Sequence, residues 1–377
     1  MRAYKIKGVN LGNWLVLEKW MSPGMFQDVA AEDEYWLAQD LPAEAYRERI
    51  KRHRAEYITE IDFARIAKFG LNTVRIPIPY FIFGDRPPFL GCVKELDQAF
   101  DWAEKWGLKI LIDLHTVPGS QNGFDNGGLS GVCKWAQNPA EVDFVMEVLK
   151  KLAQRYGKRK ALFGIQPLNE PMTTALLGER SWEESGLLKR YVPRDPEMMK
   201  GSAPISIEFL KKFYIEAYDT VREYMDPEKY YVIHDAFDIL AWKDFMQEER
   251  FHHVMLDSHM YLSGLERDSY GQSPEGYLKG LQEKYGAEIR EMSKYFPVIC
   301  GEWCLDTQYV KTLEEDKQTE FYKTLAKWCV DTWNIGSGYF YWSYKLIGQD
   351  AGLESWDFCQ CVLRNWFPQE ILAKADE

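Results

Sequence analysis

The sequence predicts an α/β fold in which eight parallel strands and their covering helices close into a (β/α)8 barrel. Three observations lead to it. Eight short apolar runs recur along the 377 residues. Most are separated by helix-patterned stretches, and alternation of that kind implies a parallel sheet. Nearly every run ends on a polar residue of a narrow set of types, as expected where an active site lies at the C-terminal ends of barrel strands.

The first run, Tyr4 to Leu11, alternates and ends in Gly12-Asn13-Trp14. An acidic helix-like stretch near Ala31 to Gln39 and a heptad-like segment, Pro42 to Phe69, follow, and the second is expected to cover the sheet as one helix. Strand two is Leu71 to Ile78, apolar apart from Arg75. Leu96 to Trp106 reads as an amphipathic helix stopped by Gly107, ahead of strand three, Leu108 to Leu114, which finishes at His115. The glycine-rich loop Gly119 to Gly128 lacks the Gly-Lys-Ser/Thr end of a phosphate loop and is expected to form a rim. Ala140 to Tyr156 is helical.

Strand four, Leu162 to Pro171, carries apolar strand formers, then Asn169-Glu170, and Pro171 stops it. From Met172 to Pro204 the chain is polar, bears Pro and Gly, and has no clean period, which marks an insertion over the site. A helix over Ile205 to Tyr224 precedes strand five, Tyr230 to Ile233. Strand six is Val254 to Asp257, running into Ser258-His259-Met260-Tyr261, and strand seven, Pro297 to Cys300, runs into Gly301-Glu302-Trp303. Strand eight is Gly338 to Trp342, and a polar segment, Gly348 to Asp357, leads to a C-terminal helix. No repeat beyond the β/α unit and no linker stands out, so residues 1–377 are expected to form one domain with loop insertions at the C-terminal face.

Bulk properties narrow the function. A net charge of −12 argues against nucleic acid and against an anionic membrane surface, and a neutral substrate fits better. The 14 Trp and 22 Tyr serve either as core filling or as flat platforms for sugars. No apolar run is long enough to span a bilayer, and no signal-peptide pattern opens the chain. Seven scattered cysteines, odd in number, suggest reduced thiols and a cytoplasmic setting, and no Asn-x-Ser/Thr acceptor occurs. Cys359 and Cys361 form a CxC without a second cluster, so neither a structural zinc nor any cofactor is expected.

The chemistry sits on two glutamates. Glu170 and Glu302 each close an apolar run, and two carboxyls at one end of a barrel meet the basic requirement of glycoside hydrolysis: an acid, and a base or nucleophile. Taken singly, each could equally be a rim glutamate in an ion pair. Arg75, at a neighbouring strand, is expected to hold Glu302 ionised, although a purely structural salt bridge would look the same.

The ordered set Arg75, His115, Asn169-Glu170, His259, Tyr261, Glu302 and Trp342 resembles the invariant set of glycoside hydrolase family five, in the clan of retaining barrel glycosidases. GVNLGNWLVLEKWMSPGMF near the start and PGSQNGFDN after strand three are similar to the family's exo-β-1,3-glucanases. The resemblance implies that Glu170 is the general acid/base and Glu302 the nucleophile. It further implies that Asn169 meets the sugar 2-hydroxyl, Tyr261 orients Glu302, His115 and His259 line the pocket, and Trp342 forms its floor. Glu18 would grip the terminal glucose and make the enzyme exo-acting, with Asp125 and Asn126 on the same rim and Phe124 and Trp303 as walls. One departure is Lys19-Trp20, where those enzymes have Pro followed by an aromatic.

The implied partner is a β-linked gluco-oligosaccharide or a β-glucoside. A lipid or plant aglycone and endo-β-glucanase action are alternatives on the same frame. A non-catalytic sugar-binding barrel would lack one glutamate, and both are present. A metal-dependent hydrolase would need a histidine pair on strand one; Asp113-x-His115, His252-His253 and His259 do not supply it, so no metal is expected.

Overall fold

The structure, a computed structural model, describes residues 4–178, 180–348, 352–368 and 372. Eight parallel strands close into a barrel in sequence order. They are β1 (Ile6–Asn10), β2 (Thr73–Ile78), β3 (Lys109–Leu114), β4 (Leu162–Gln166), β5 (Tyr230–His234), β6 (Val254–His259), β7 (Val298–Trp303) and β8 (Gly338–Tyr341). Pairing of β1 with both β2 and β8 leaves no edge. No helix is long and apolar enough to cross a membrane, among the described residues.

The helices fall where the periodicity puts them, with one correction. Pro42 to Phe69 is two helices, Ala43–Tyr57 and Glu60–Lys68. The break is local chemistry: the Asp62 carboxylate accepts from the backbone N–H and the hydroxyl of Thr59, at 2.8 and 2.9 Å. That satisfies a donor at the new N-terminus and restarts the helix. Gly107, at φ 72°, ends Val93–Trp106 in the left-handed conformation that glycine adopts without strain.

The barrel interior is layered. Ile6, Leu111, Phe163, Val232, Met255, Ile299 and Phe340, one from each of seven strands, form an apolar plug at its base. Above them lie Arg75, Asp113, Gln166 and Asp257, all fully buried. A polar layer inside a barrel must be internally paired, because an unpaired buried charge costs several kcal/mol. The glycines fit this layer: a Cβ on Gly301 would come 2.1 Å from Asp257 Oδ1, so only glycine can stand beside that carboxylate. Strand register slips between Ser258 and His259 on β6 and again on β7, just below the functional groups. Such irregularities re-aim side chains at barrel rims.

The stretch from 172 to 204 is more ordered than its polar sequence predicts. Short helical turns occur at Thr174–Leu177, Gly186–Lys189 and Pro196–Met199. They rest on a satellite core in which Met172, Leu177 and Trp182 pack with Cys133 of the preceding loop. The Trp182 indole donates to the Gly131 carbonyl at 3.0 Å. Both ends of the segment meet, the Ile205 N–H donating to the Met172 carbonyl at 2.7 Å. The sequence signal was missed because the apolar residues are spaced for turns and not for one period.

Candidate active site

Arg75 is the hub of the polar layer. It lies within β2, third of six residues, and not at the strand's end as its place in the ordered set suggests; its length carries the guanidinium up to the site. Nε donates to Gln166 Oε1 at 3.0 Å, Nη1 to Asn10 Oδ1 at 2.9 Å and to Glu302 Oε1 at 2.8 Å, and Nη2 to Asn169 Oδ1 at 2.7 Å. Nη2 is also 3.1 Å from Asp113 Oδ2. Five donors have five protein neighbours, so no N–H is left for a sugar. Its place among the substrate-binding residues is therefore corrected: Arg75 positions groups that face the cavity.

Glu170 and Glu302 converge on one imidazole. His259 Nδ1 lies 2.7 Å from Glu170 Oε1 and 3.4 Å from Glu302 Oε2, and Nε2 lies 3.4 Å from Asp257 Oδ2. The two glutamate oxygens sharing this nitrogen are thus no more than about 6 Å apart, short of the roughly 6.5–9.5 Å that inverting glycosidases leave for a water. β4 stops at Gln166, and Glu170 stands beyond it at φ 43°, a left-handed conformation that costs a non-glycine residue energy and turns its carboxyl over the barrel mouth. Glu302 is inside β7, one residue before its end, and inherits the strand's rigidity.

The proton distribution differs from the expected one. Burial works against the charge on His259, but Glu302, Asp257 and Glu170 around it outweigh burial and raise its pKa well above the usual range. Burial pushes Glu170 up too, yet the hydrogen bond and charge of His259, with His234 and Asn126, bring it down to about 2. Glu302 is raised, by burial first and by Glu170, and neither His259 nor Arg75 fully offsets this. Arg75 pulls Glu302 in the expected direction but does not decide it. The carboxylates on either side of His259 thus favour its protonated form.

Around this centre Tyr261 and Trp342 line the cavity, whereas Asn169 and His115, expected to face the sugar, are fully buried and outside its lining. The Tyr261 hydroxyl donates to Glu302 Oε2 at 2.8 Å. Asn169 has its oxygen bonded to Arg75 while its buried Nδ2 has no partner. An orphaned buried donor of this kind is costly unless a ligand accepts from it. His115 is oriented by Asp113 Oδ2, 2.6 Å from Nδ1, leaves Nε2 unpartnered, and stacks on Trp342 at 5.6 Å between ring centres. Trp342 lines the cavity, which measures about 460 Å³.

Glu18 lines that cavity, as do Asp125 and Asn126. Its Oε2 accepts from the Trp20 indole at 2.8 Å and its Oε1 is buried without a partner. Burial, with Asp125 next to it, raises the Glu18 carboxyl well above its usual value. The Lys19-Trp20 departure therefore has a use: Trp20 holds Glu18 and meets Trp356 edge-on at 5.3 Å. Asn126 is more engaged than a rim residue, its amide donating to Glu170 Oε2 at 2.8 Å.

Some contributors were not foreseen. Trp303 is no wall: it is fully buried among Trp333, Tyr339 and Tyr341, and Trp20 and Trp356 line the cavity instead. Asp113 and Asp257, which orient His115 and His259, were legible as a repeated pattern, Asp-x-His at the end of β3 and of β6, since residues two apart on a strand share a face. His234 ends β5 with its ring 4.4 Å from that of His259. Glu170, His234 and His259 have ligand atoms within 4.8 Å of one another, and in this trio His259 Nδ1 is already engaged with Glu170 Oε1 at 2.7 Å. His252 and His253 are exposed at the opposite, N-terminal end of β6.

Comparison with known proteins agrees with this geometry. Residues 48–345 match the family model described as Cellulase (glycosyl hydrolase family 5). The chain is similar to a glucan 1,3-beta-glucosidase of Kluyveromyces lactis, 30% identical over 98% of this chain and 89% of that protein. It is also similar to a probable glucan 1,3-beta-glucosidase A of Emericella nidulans, 36% identical over 80% of this chain and 67% of the relative. Among solved structures, a rutinosidase from Aspergillus niger shares the fold with a TM-score of 0.74 and 21% identity, over 97% of this chain and 98% of that one. A closed barrel, two carboxyls on one imidazole and a family match spanning most of the barrel lead to one conclusion: the chain belongs to glycoside hydrolase family 5.

Proposed function

We propose that this protein is a retaining, exo-acting β-glucosidase that releases glucose from the non-reducing end of β-1,3-linked oligosaccharides or glucans. The observation that carries the reading is the shared imidazole, which brings the Glu170 and Glu302 oxygens within about 6 Å and leaves no slot for an inverting water. The names of the relatives support the β-1,3 linkage. Glu18, which lines the cavity with a buried and unpartnered oxygen, supports exo action by accepting from hydroxyls of a terminal glucose. The seven cysteines, all free, support a reducing, cytoplasmic setting.

In the first step a Glu302 oxygen bonds to the anomeric carbon as the bond to the leaving oxygen breaks, and Glu170 delivers a proton to that oxygen. The proton comes from His259 Nδ1, 2.7 Å from Glu170 Oε1. Asn169 Nδ2 donates to the 2-hydroxyl, a contact that strengthens toward the transition state. In the second step Glu170 takes a proton from water, whose oxygen replaces Glu302 on the anomeric carbon.

A substrate panel tests the reading: p-nitrophenyl β-glucoside, laminari-, cello-, gentio- and sophoro-oligosaccharides, and laminarin, with products followed by chromatography. Glucose appears one unit at a time, fastest from β-1,3 oligomers. Larger internal fragments would instead show an open cleft and an endo-glucanase.

The position of the proton gives a pH prediction. Glu302 must be ionised, so the acid limb of kcat/KM lies above the ordinary carboxyl value of 4.5. The alkaline limb follows loss of the proton shared by His259 and Glu170, and lies above the ordinary histidine value of 6.5. In His259→Gln the proton must reside on Glu170 itself. That carboxyl, freed of the imidazolium, rises from about 2. The alkaline limb then reports Glu170 in place of His259, and a limb that does not move would show that His259 does not store the proton.

A further inference from the structure

Glu18 sits on a stretch that no regular structure holds. After β1 the chain from Leu11 to Glu18 runs on without helix or strand, and every residue of it is buried. A buried backbone N–H outside a ladder needs a partner of its own. The Glu18 N–H finds one in a side chain five residues back, donating to Asn13 Oδ1 at 3.0 Å. We infer that Asn13 is a positioning residue for the terminal sugar and acts through Glu18, its side chain setting where the Glu18 carboxyl stands in the cavity. The inference rests on the glucosidase reading and adds a residue that determines how well the non-reducing glucose is held.

Asn13 meets two demands at once. Its φ is 61°, in the left-handed region, which asparagine enters more readily than most residues with a side chain. Glycine would enter it more cheaply still, but would bring no acceptor for Glu18. The rest of the Asn13 side chain is also engaged: Nδ2 donates to Ser22 Oγ at 2.9 Å, and the Ser22 hydroxyl donates to Oδ1 at 3.2 Å. Glu18 and Ser22 are the caps on either side of the helical turn Lys19–Met21, so one side chain clamps the turn at both ends. Glu18 spends no carboxyl oxygen on capping that turn. Its Oε2 takes the Trp20 indole, and Oε1 stays free of protein donors.

The clamp is anchored outside the loop. The Asn13 carbonyl lies 2.6 Å from His53 Nε2, and the Trp14 indole donates to the Arg54 carbonyl at 2.9 Å, both partners standing on the helix Ala43–Tyr57. Burial, with Arg54 next to it, brings the His53 imidazole down to about 4. The ring is therefore neutral near pH 7, and the nitrogen that faces a carbonyl is the one that carries hydrogen. His53 also stacks on Tyr57 at 4.9 Å between ring centres. Arg54 donates to the Leu90 and Gly91 carbonyls at 3.0 and 2.9 Å, which ties the same helical turn to the loop after β2. Position is thus handed from a helix to a loop: His53 fixes the Asn13 backbone, Asn13 fixes the Glu18 backbone, and Trp20 fixes one carboxyl oxygen.

The experiment is a double-mutant cycle on p-nitrophenyl β-glucoside, with wild type, Asn13→Gly, Glu18→Ala and the double variant. Asn13→Gly suits the left-handed backbone and removes only the side chain. It is expected to lower kcat/KM about fivefold, the scale of one hydrogen bond. The loss falls chiefly on KM, because the hydroxyls that Glu18 holds do not react. In the Glu18→Ala background the same change costs less than about twofold, since the group it positions is gone. Ser22→Ala leaves Asn13 in place and tests the clamp from the far side of the turn, with a smaller loss of about twofold that again requires Glu18. Equal losses with and without Glu18 would make Asn13 a support of the fold at large and overturn the inference. Amide exchange followed by NMR reads the bond without a substrate: the Glu18 N–H is protected in the wild type and exchanges faster in Asn13→Gly. Unchanged protection would overturn the inference as well. A wild type silent on the glucoside would sink the glucosidase reading, and the exchange result would still decide whether Asn13 holds Glu18.

Discussion

Glu302→Gln lowers kcat on every substrate by about five orders of magnitude, the scale on which removal of a nucleophile acts in other hydrolases that form covalent intermediates. The amide keeps the shape of the carboxylate and its oxygen can still accept from Arg75, while the Tyr261 hydroxyl, which reaches the other carboxylate oxygen at 2.8 Å, must turn to accept from the new NH2. What it loses is the ability to bond to the anomeric carbon, so good and poor leaving groups suffer alike. Folding must be checked in parallel, because the change leaves Arg75 with one fewer countercharge in a buried layer, where an uncompensated charge costs several kcal/mol. A melting temperature close to wild type with turnover reduced throughout supports the nucleophile assignment. Residual activity within tenfold of wild type, about 1.4 kcal/mol, would remove it.

Glu170→Ala produces a selective defect. An oligosaccharide leaving group needs the proton, and its turnover falls by about 10²- to 10⁴-fold, the usual contribution of a positioned acid. A dinitrophenyl leaving group needs no proton, so the sugar still reaches Glu302 and the second step, now without its base, becomes limiting. Azide, which needs no base, enters the space vacated by the carboxyl and releases β-glucosyl azide. Retained configuration in that product, read by NMR, reports double displacement directly. Uniform loss on all substrates with no effect of azide would instead make Glu170 a structural neighbour of His259. The same variant removes one of the three carboxylates that hold the proton on His259, so the imidazole in Glu170→Ala titrates at lower pH than in the wild type.

The frame of this site was legible from strand ends, because the barrel topology delivers them to one mouth and because few residue types do this chemistry. What stayed hidden had physical reasons. The period of an apolar run marks where a strand is but not where it stops, and β6 and β7 run on through His259 and Trp303 because polar residues there still pair in the ladder. Trp303 and Trp356 could not be told apart in sequence. Trp303 turns into the core by its phase on β7 after a register slip, and Trp356 faces the cavity from a helical turn beyond β8. The direction of the Glu170 and Glu302 carboxyl shifts was beyond sequence too, since it depends on distances of 2.7 and 3.4 Å to one nitrogen.

The segment that begins at Met172 leaves the barrel and rejoins it at a single point, the hydrogen bond from Ile205 to Met172. It behaves as a cassette. Its length and composition can be rewritten by insertion, deletion or recombination without changing the spacing of any strand, provided the incoming piece carries counterparts of Trp182, which rests against Gly123 and Gly131, of Arg194, which pairs with Asp40, and of Ser202, which accepts from the Cys133 N–H. Leaving-group preference can therefore diverge rapidly among relatives while Glu170, two residues before the joint, and Glu302, three strands further round the barrel, keep their places. A cassette exchange between this chain and a relative should transfer selectivity and leave the glucose end of the cavity as it is.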